Sequence, residues 1–434
     1  MTPDAAALSS TDPVPGEGEG AGVNAPDLRF FVYGLFFVFG GITSLNDVII
    51  PKLKALFTLS YGEVMLVQSA FFAAYFLISI PAAGVVRRFG YMRSAVIGLL
   101  TMTAGCLLFW PAAASGTFAV FLAALFVLAT GITVVQVVAN PLISLLGPPR
   151  SAHSRLTFAQ AFNSLGTTVF PYFGSILILG GLASVDPKTP QGAALTAFRA
   201  AESQVVVKAY LGLAAAIVVV AAVVWLRRRA LVEAPAEAGG GALHAFGLLG
   251  RPRFAFGALC IFLYVGAEVA IGSMIVSYLM QATALGLPEQ DAGKHVPFYW
   301  GGAMIGRFIG AGVLRLVSPG KALAAVAAGA IALIVLSANS LGAVSGWALL
   351  AIGLCNSIMF PTIFSLASEG LGRRAAEGSG VICVAIVGGA VIPPLTGHLA
   401  DLSSLRLALA VPALCYAVIL AFGLYARRPA PDIR

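Results

Sequence analysis

Hydrophobic positions in this chain neither alternate nor form stripes. They run in blocks of about twenty residues, each ended by a few charged residues, glycines or prolines. A block of that length carries an α-helix across a bilayer, whereas a membrane β-strand shows about ten alternating positions. The pattern predicts transmembrane helices over 30–51, 63–86, 93–113, 117–146, 155–180, 204–226, 254–280, 295–316, 322–338, 344–368, 375–396 and 405–425. The predicted fold class is an all-α membrane protein with twelve transmembrane helices.

The longest weakly hydrophobic stretch inside the chain starts at Arg227-Arg-Arg and continues through a run of alanine, glutamate, proline and glycine to His244. It divides the blocks six and six. The predicted organisation is a six-helix bundle over 28–226, a linker over 227–253, a second six-helix bundle over 254–426 and a tail over 427–434. Residues 1–27 are acidic, lack aromatics and have no basic n-region, which reads as a disordered tail and not a signal peptide. A faint repeat supports two related halves. Ala139-Asn-Pro-Leu-Ile-Ser in the fourth block echoes Met359-Phe-Pro-Thr-Ile-Phe-Ser in the tenth, with Pro141 and Pro361 in register.

Composition agrees: 59% of the 434 residues are hydrophobic and 10% charged, against about 25% charged in soluble domains. The net charge of +8 does not point to nucleic acid, because the basic residues sit in short loops. Arg87, Arg88, Arg93, Arg150, Arg155, Arg227 to Arg229, Arg251, Arg253, Arg315, Arg373 and Arg374 all fall on the side of the N-terminus. The positive-inside bias predicts both termini in the cytoplasm. The five cysteines lie inside blocks without metal-ligand spacing.

Polar residues inside the blocks carry the candidate chemistry. Asp47 is a carboxylate in an apolar run, and a membrane acid is a proton, cation or substrate site by default. Thr43 and Asn46 share its helix face, and Pro51 removes the amide that would bond its carbonyl. Gln136 and Asn140 stand four apart before Pro141, and Gln160, Asn163 and Thr167 form a stripe before Pro171. Neutral amides offer donors and acceptors together, which suits a polyhydroxylated ligand. The second half adds Tyr264 and Glu268, four apart, Asn356, and Arg307 as a structural charge partner for Glu268. Phe39, Phe72, Tyr75 and Trp300, with Phe162, Tyr299 and Phe360, are aromatics able to stack on a sugar ring.

No phosphate loop, metal cluster or acyl-transfer nucleophile stands out, so no enzyme activity and no cofactor are predicted. Uphill transport would then draw on an ion gradient. The residues themselves leave open proton symport, sodium symport and facilitated diffusion, while the amide density argues against an exporter with a wide apolar cavity.

Several strings resemble the fucose:proton symporter family of the major facilitator superfamily, and more closely its glucose/galactose transporter branch. They are Thr43-Ser-Leu-Asn-Asp47, Gln136-Val-Val-Ala-Asn-Pro141, Ala159-Gln-Ala-Phe-Asn-Ser164, Tyr264-Val-Gly-Ala-Glu-Val-Ala-Ile-Gly-Ser273, Phe298-Tyr-Trp-Gly-Gly302 and Asn356-Ser-Ile-Met-Phe-Pro-Thr362. The resemblance implies a major facilitator fold in a bacterial inner membrane, importing a monosaccharide with protons through a cavity between two bundles, as a functional monomer. It places Asp47 at the family's first-helix acid and Asn163 at its sugar-contacting amide. Gln136 stands where the fucose transporters have a glutamate, which argues against fucose and leaves Asp47, with Glu268, to carry the proton. The loop Gly84 to Arg93 lacks the superfamily's usual aspartate, so the latch between the halves must differ. Which hexose is taken is not written in the sequence.

Overall fold

The computed structural model describes residues 26–57, 61–174, 193–228 and 242–428; within these, the side chains of 26–27, 45–57, 61–68, 149, 171–172, 174, 193–203, 242–243, 289–290 and 373 lie outside the described residues. All regular structure there is helical: α1 (Pro26–Phe57), α2 (Tyr61–Phe89), α3 (Tyr91–Ser115), α4 (Phe118–Leu145), α5 (Ala152–Gly174), α6 (Ala193–Leu226), α7 (Pro252–Met280), the short α8 (Glu289–Gly293), α9 (Val296–Val313), α10 (Pro319–Asn339), α11 (Gly342–Asn356), α12 (Met359–Ser368), α13 (Ala375–Ala385), α14 (Gly388–Leu402), α15 (Leu405–Ala408) and α16 (Ala410–Tyr425).

The hydrophobic pattern predicts twelve spans. Among the described residues, 9 segments are long and apolar enough to cross a membrane, with Leu28–Ser44 of α1 a shorter apolar piece. The described stretch of α1 ends at Ser44; the other helices that fall short, α5 and α9, hold Gln160 with Asn163, and Arg307 respectively. Polar side chains dilute their hydropathy.

Three predicted spans are interrupted, that at 405–425 only at Leu409 between α15 and α16. The span at 344–368 is split into α11 and α12 at Ser357 and Ile358. Pro361 has no amide hydrogen for the carbonyl four residues earlier, that of Ser357, so the helix opens there. The span at 375–396 breaks between α13 and α14, just before the pair Gly388 and Gly389. Part of the predicted linker is ordered as well: Ala242–Gly250 forms a 3-10 helix with Ala245 and Leu248 buried.

Helix pairing repeats between the two halves. In the first, α1 packs on α5, α2 on α4, and α3 on α4 and α6; in the second, α7 packs on α14, α9 on α11, and α10 on α11 and α16. Glycine makes the closest approach in matching places. A Cβ on Gly166 of α5 would lie 2.1 Å from the Phe37 carbonyl oxygen of α1, and one on Gly388 would lie 1.9 Å from the Phe262 oxygen of α7. Membrane helices gain van der Waals contact by such small-residue approaches, since lipid tails remove the hydrophobic drive between helices.

The halves touch through α5 with α9 and α12, and through α2 and α4 with α13. The arginine-rich end is fastened by ion pairs. Arg87 bonds Glu377 at 2.7 Å, and Arg374 bonds the same carboxylate at 2.8 Å. His153 reaches Glu369 at 3.2 Å, and Glu369 also pairs with Arg253. Ser154 donates to the Ala311 carbonyl at 2.6 Å. These contacts fasten an end whose loop, Gly84 to Arg93, holds no aspartate.

Candidate functional site

Between the halves lies a cavity of about 150 Å3, on a scale where one water occupies ~10–15 Å3. Its wall is drawn from seven helices: Phe39, Gly40 and Thr43 of α1, Tyr75 of α2, Gln136 of α4, Gln160, Asn163 and Thr167 of α5, Tyr264 and Glu268 of α7, Arg307 of α9 and Phe360 of α12. Helical spacing of three and four puts Gln160, Asn163 and Thr167 on one face, and likewise Tyr264 and Glu268. Gln160 lies six residues beyond Ser154, so the cavity begins about 9 Å above the fastened end.

The hydrogen bonds leave a mixed set of free groups. Tyr75 donates its hydroxyl to Gln136 Oε1 at 2.7 Å, which fixes the amide and leaves its NH2 for a ligand. Gln160 Nε2 donates to Asn140 Oδ1 at 3.4 Å, and Asn163 Nδ2 to the Phe36 carbonyl at 3.3 Å, so both amide oxygens remain as acceptors. Gly40 matters here because a Cβ would lie 2.3 Å from Asn163 Nδ2. Glu268 accepts from Tyr264 at 2.7 Å and has further acceptor capacity. Phe39 and Phe360 supply apolar faces. Donors, acceptors and apolar surface in one chamber match a sugar, which carries all three.

Arg307 stands within electrostatic reach of Glu268. It lines the cavity with Glu268 but forms no ion pair with it among the described residues. Its Nε donates to the Ser357 carbonyl at 3.1 Å, the oxygen that Pro361 leaves unbonded, and a second nitrogen bonds Ser164 Oγ on α5. The guanidinium therefore joins the two halves at the cavity wall, and Glu268 stays open to the chamber. Pro361 was the available sequence signal for this, read four residues back.

Four other expected contacts lie behind the wall or away from it. Asn140 is fully buried one turn from Gln136 and supports Gln160. Asn356 is also buried: its Nδ2 donates to Tyr299 at 2.7 Å, its Oδ1 accepts from Tyr416 at 2.8 Å, and its carbonyl accepts from Tyr264 at 3.1 Å. Trp300 is largely exposed, edge-on to Tyr299, and Phe72 packs beside Gly389. The side chains of Asn46 and Asp47 lie outside the described residues; their backbone continues α1 beyond Thr43. Gly40 went unpredicted, because a glycine offers no functional group to notice.

A family model described as Major Facilitator Superfamily matches residues 32–386. The chain belongs to that superfamily. Within this major facilitator protein, similarity extends over nearly the whole length. It is 47% identical over 390 residues to the glucose/galactose transporter of Brucella abortus biovar 1, covering 90% of this chain and 92% of that one. It is 34% identical over 414 residues to the L-fucose-proton symporter of Escherichia coli K12, covering 92% of each. The crystal structure of the major facilitator transporter FucP in the outward conformation superposes with a TM-score of 0.85 at 31% identity, covering 92% of this chain and 98% of that one. The chain thus falls in the glucose/galactose transporter branch, related to the fucose-proton symporters. Members are multi-pass membrane transporters and not enzymes.

Proposed function

We propose that this protein imports a hexose, glucose, galactose or a close relative, by proton symport across a bacterial inner membrane. The reading is carried by one observation: a chamber between the halves in which Gln136, Gln160 and Asn163 present free amide groups opposite Glu268, with aromatic faces beside them. The names of its relatives, a glucose/galactose transporter and an L-fucose-proton symporter, point the same way.

The repeated helix pairings support twelve spans arranged as two six-helix bundles, 28–226 and 254–426, joined by the linker 227–253. The arginine-rich end faces the cytoplasm with both termini, and one chain suffices as the transport unit. Fastened there, the bundles present the chamber outward. Sugar loads against Gln136, Gln160 and Asn163 while Asp47 is protonated. The bundles then rock, Arg87 and His153 part from Glu377 and Glu369, and sugar and proton leave inward. Glu268 is a second acid able to take the proton or a sugar hydroxyl. Gln136 holds its Tyr75 bond in either protonation state of the site, since it does not titrate.

The test is uptake of labelled galactose into proteoliposomes in competition with glucose, mannose, N-acetylglucosamine and fucose. Glucose competes and fucose does not; failure of every hexose to compete would remove the sugar assignment.

A further inference from the structure

We propose that the arginine-rich end carries a site for the phosphate of an anionic phospholipid, formed by Arg29, Arg155 and Arg315 where α1, α5 and α9 meet. Arg29 of α1 and Arg155 of α5 converge on Gly147: a Cβ there would lie 2.7 Å from Arg29 Nη2 and 3.2 Å from Arg155 Nη1. Gly147 holds φ at +128°, and its missing side chain leaves room for both guanidinium groups. Arg315, just past α9, donates Nε to Ser154 Oγ at 3.2 Å, one residue from Arg155. All three arginines lie within electrostatic reach of the Tyr33 hydroxyl.

Among the described residues this cluster has no counter-charge. Arg155 donates to neutral acceptors, the carbonyls of Ile143, Ser144, Gly147 and Pro148 and the Ser151 hydroxyl, so its hydrogens are placed and its charge is not offset. Arg29 Nε is buried with no hydrogen-bond partner. Glu369, near this end, is already taken by Arg253 and His153. Gathered cations that leave a buried donor unpaired are costly unless an anion joins them, and basic pockets between membrane helices on the cytoplasmic side suit lipid headgroups.

The surface next to the cluster argues for a lipid over a free phosphate. Tyr33 meets Phe158 edge-on at 5.2 Å, Phe158 meets Phe308 at 6.0 Å, and Tyr33 meets Phe30 at 6.2 Å. Phe30 and Phe308 are exposed, as are Ile305 and Ile309 along α9. An acyl chain covers such a ramp, and inorganic phosphate gains nothing from it. Arg29 belongs to the first half and Arg315 to the second, so one phosphate bonded by both, with the charge of Arg155 behind it, braces the fastened end.

The experiment is a thermal melt of the full-length protein in neutral detergent with added phosphatidylglycerol, phosphatidylcholine, or inorganic phosphate at equal phosphate concentration. Phosphatidylglycerol raises the midpoint by several degrees; the other two do not. Arg29→Gln and Arg315→Gln each lose more than half of that rise, read against their own lipid-free midpoints, and Arg93→Gln, an exposed arginine elsewhere, keeps it. Arg315 is exposed, so its variant folds even if the Arg29 variant does not. An equal rise with phosphatidylcholine or phosphate, a full rise in both cluster variants, or an equal loss in Arg93→Gln overturns the site. The melt uses neither sugar nor gradient, so it stands apart from the transport reading.

Discussion

In the proposed transport cycle, Asn163 and Glu268 divide the work of the chamber between neutral recognition and charge. Asn163 keeps its oxygen for the ligand while its NH2 is anchored to the Phe36 carbonyl. Replacing it with alanine leaves a sugar hydroxyl without its partner, a loss of ~1–3 kcal/mol, so titration calorimetry on the N163A variant shows sugar binding weakened about 5- to 150-fold; unchanged affinity would remove Asn163 from the site. For Asp47 the expected phenotype differs in kind. The D47N variant retains sugar counterflow and loses accumulation, because a permanently neutral residue copies the protonated state and cannot release the proton. Normal accumulation by D47N would shift the coupling to Glu268 or away from both.

Helices matter here through how closely they approach. Gly166 faces the Phe37 carbonyl with no room for a methyl group, whereas a Cβ on Gly212 of α6 meets nothing within 4 Å. Gly166→Ala therefore forces α1 and α5 apart and costs ~1–3 kcal/mol or more by overpacking, lowering the melting midpoint by several degrees, while Gly212→Ala is neutral. Equal midpoints would mean that the two helices are looser than they stand. Much at this scale was legible: block length gave the helices, and three- and four-residue spacing placed Gln160, Asn163, Tyr264 and Glu268 on shared faces. Spacing could not say which neighbour covers a face. Asn356 looked like Gln160 in the sequence, yet three tyrosines from α7, α9 and α16 enclose it. Likewise Arg307 seemed destined for Glu268: Pro361 signals the freed Ser357 carbonyl, but the sequence does not say that Arg307 reaches it from another helix.

For the molecule as a whole, the proposed cycle places the balance between states on the fastened end. Glu377 is nearly buried, held by Arg87 and Arg374. Glu377→Gln leaves both guanidinium groups without their carboxylate, and breaking a buried pair costs ~3–5 kcal/mol. The population then moves more than tenfold toward the state open at that end. Spin-label distances between the arginine-rich ends of α2 and α13 should lengthen; an unchanged distribution would mean that the His153, Glu369 and Arg253 cluster holds the halves alone. The proposed two-bundle design rests on the break after Arg227 and the proline register in the sequence, with the repeated helix pairing beside them. The latch was not, because its partners lie hundreds of residues apart and the familiar loop aspartate is absent.

The central claim is that sugar passing between the halves is driven by protons. Proteoliposomes holding the purified protein at neutral internal pH, moved to an acidic, sodium-free medium with labelled galactose, test it directly. The account predicts accumulation above the external concentration that collapses with a protonophore and is indifferent to added sodium. Simple equilibration, or accumulation only when a sodium gradient is supplied, would contradict it.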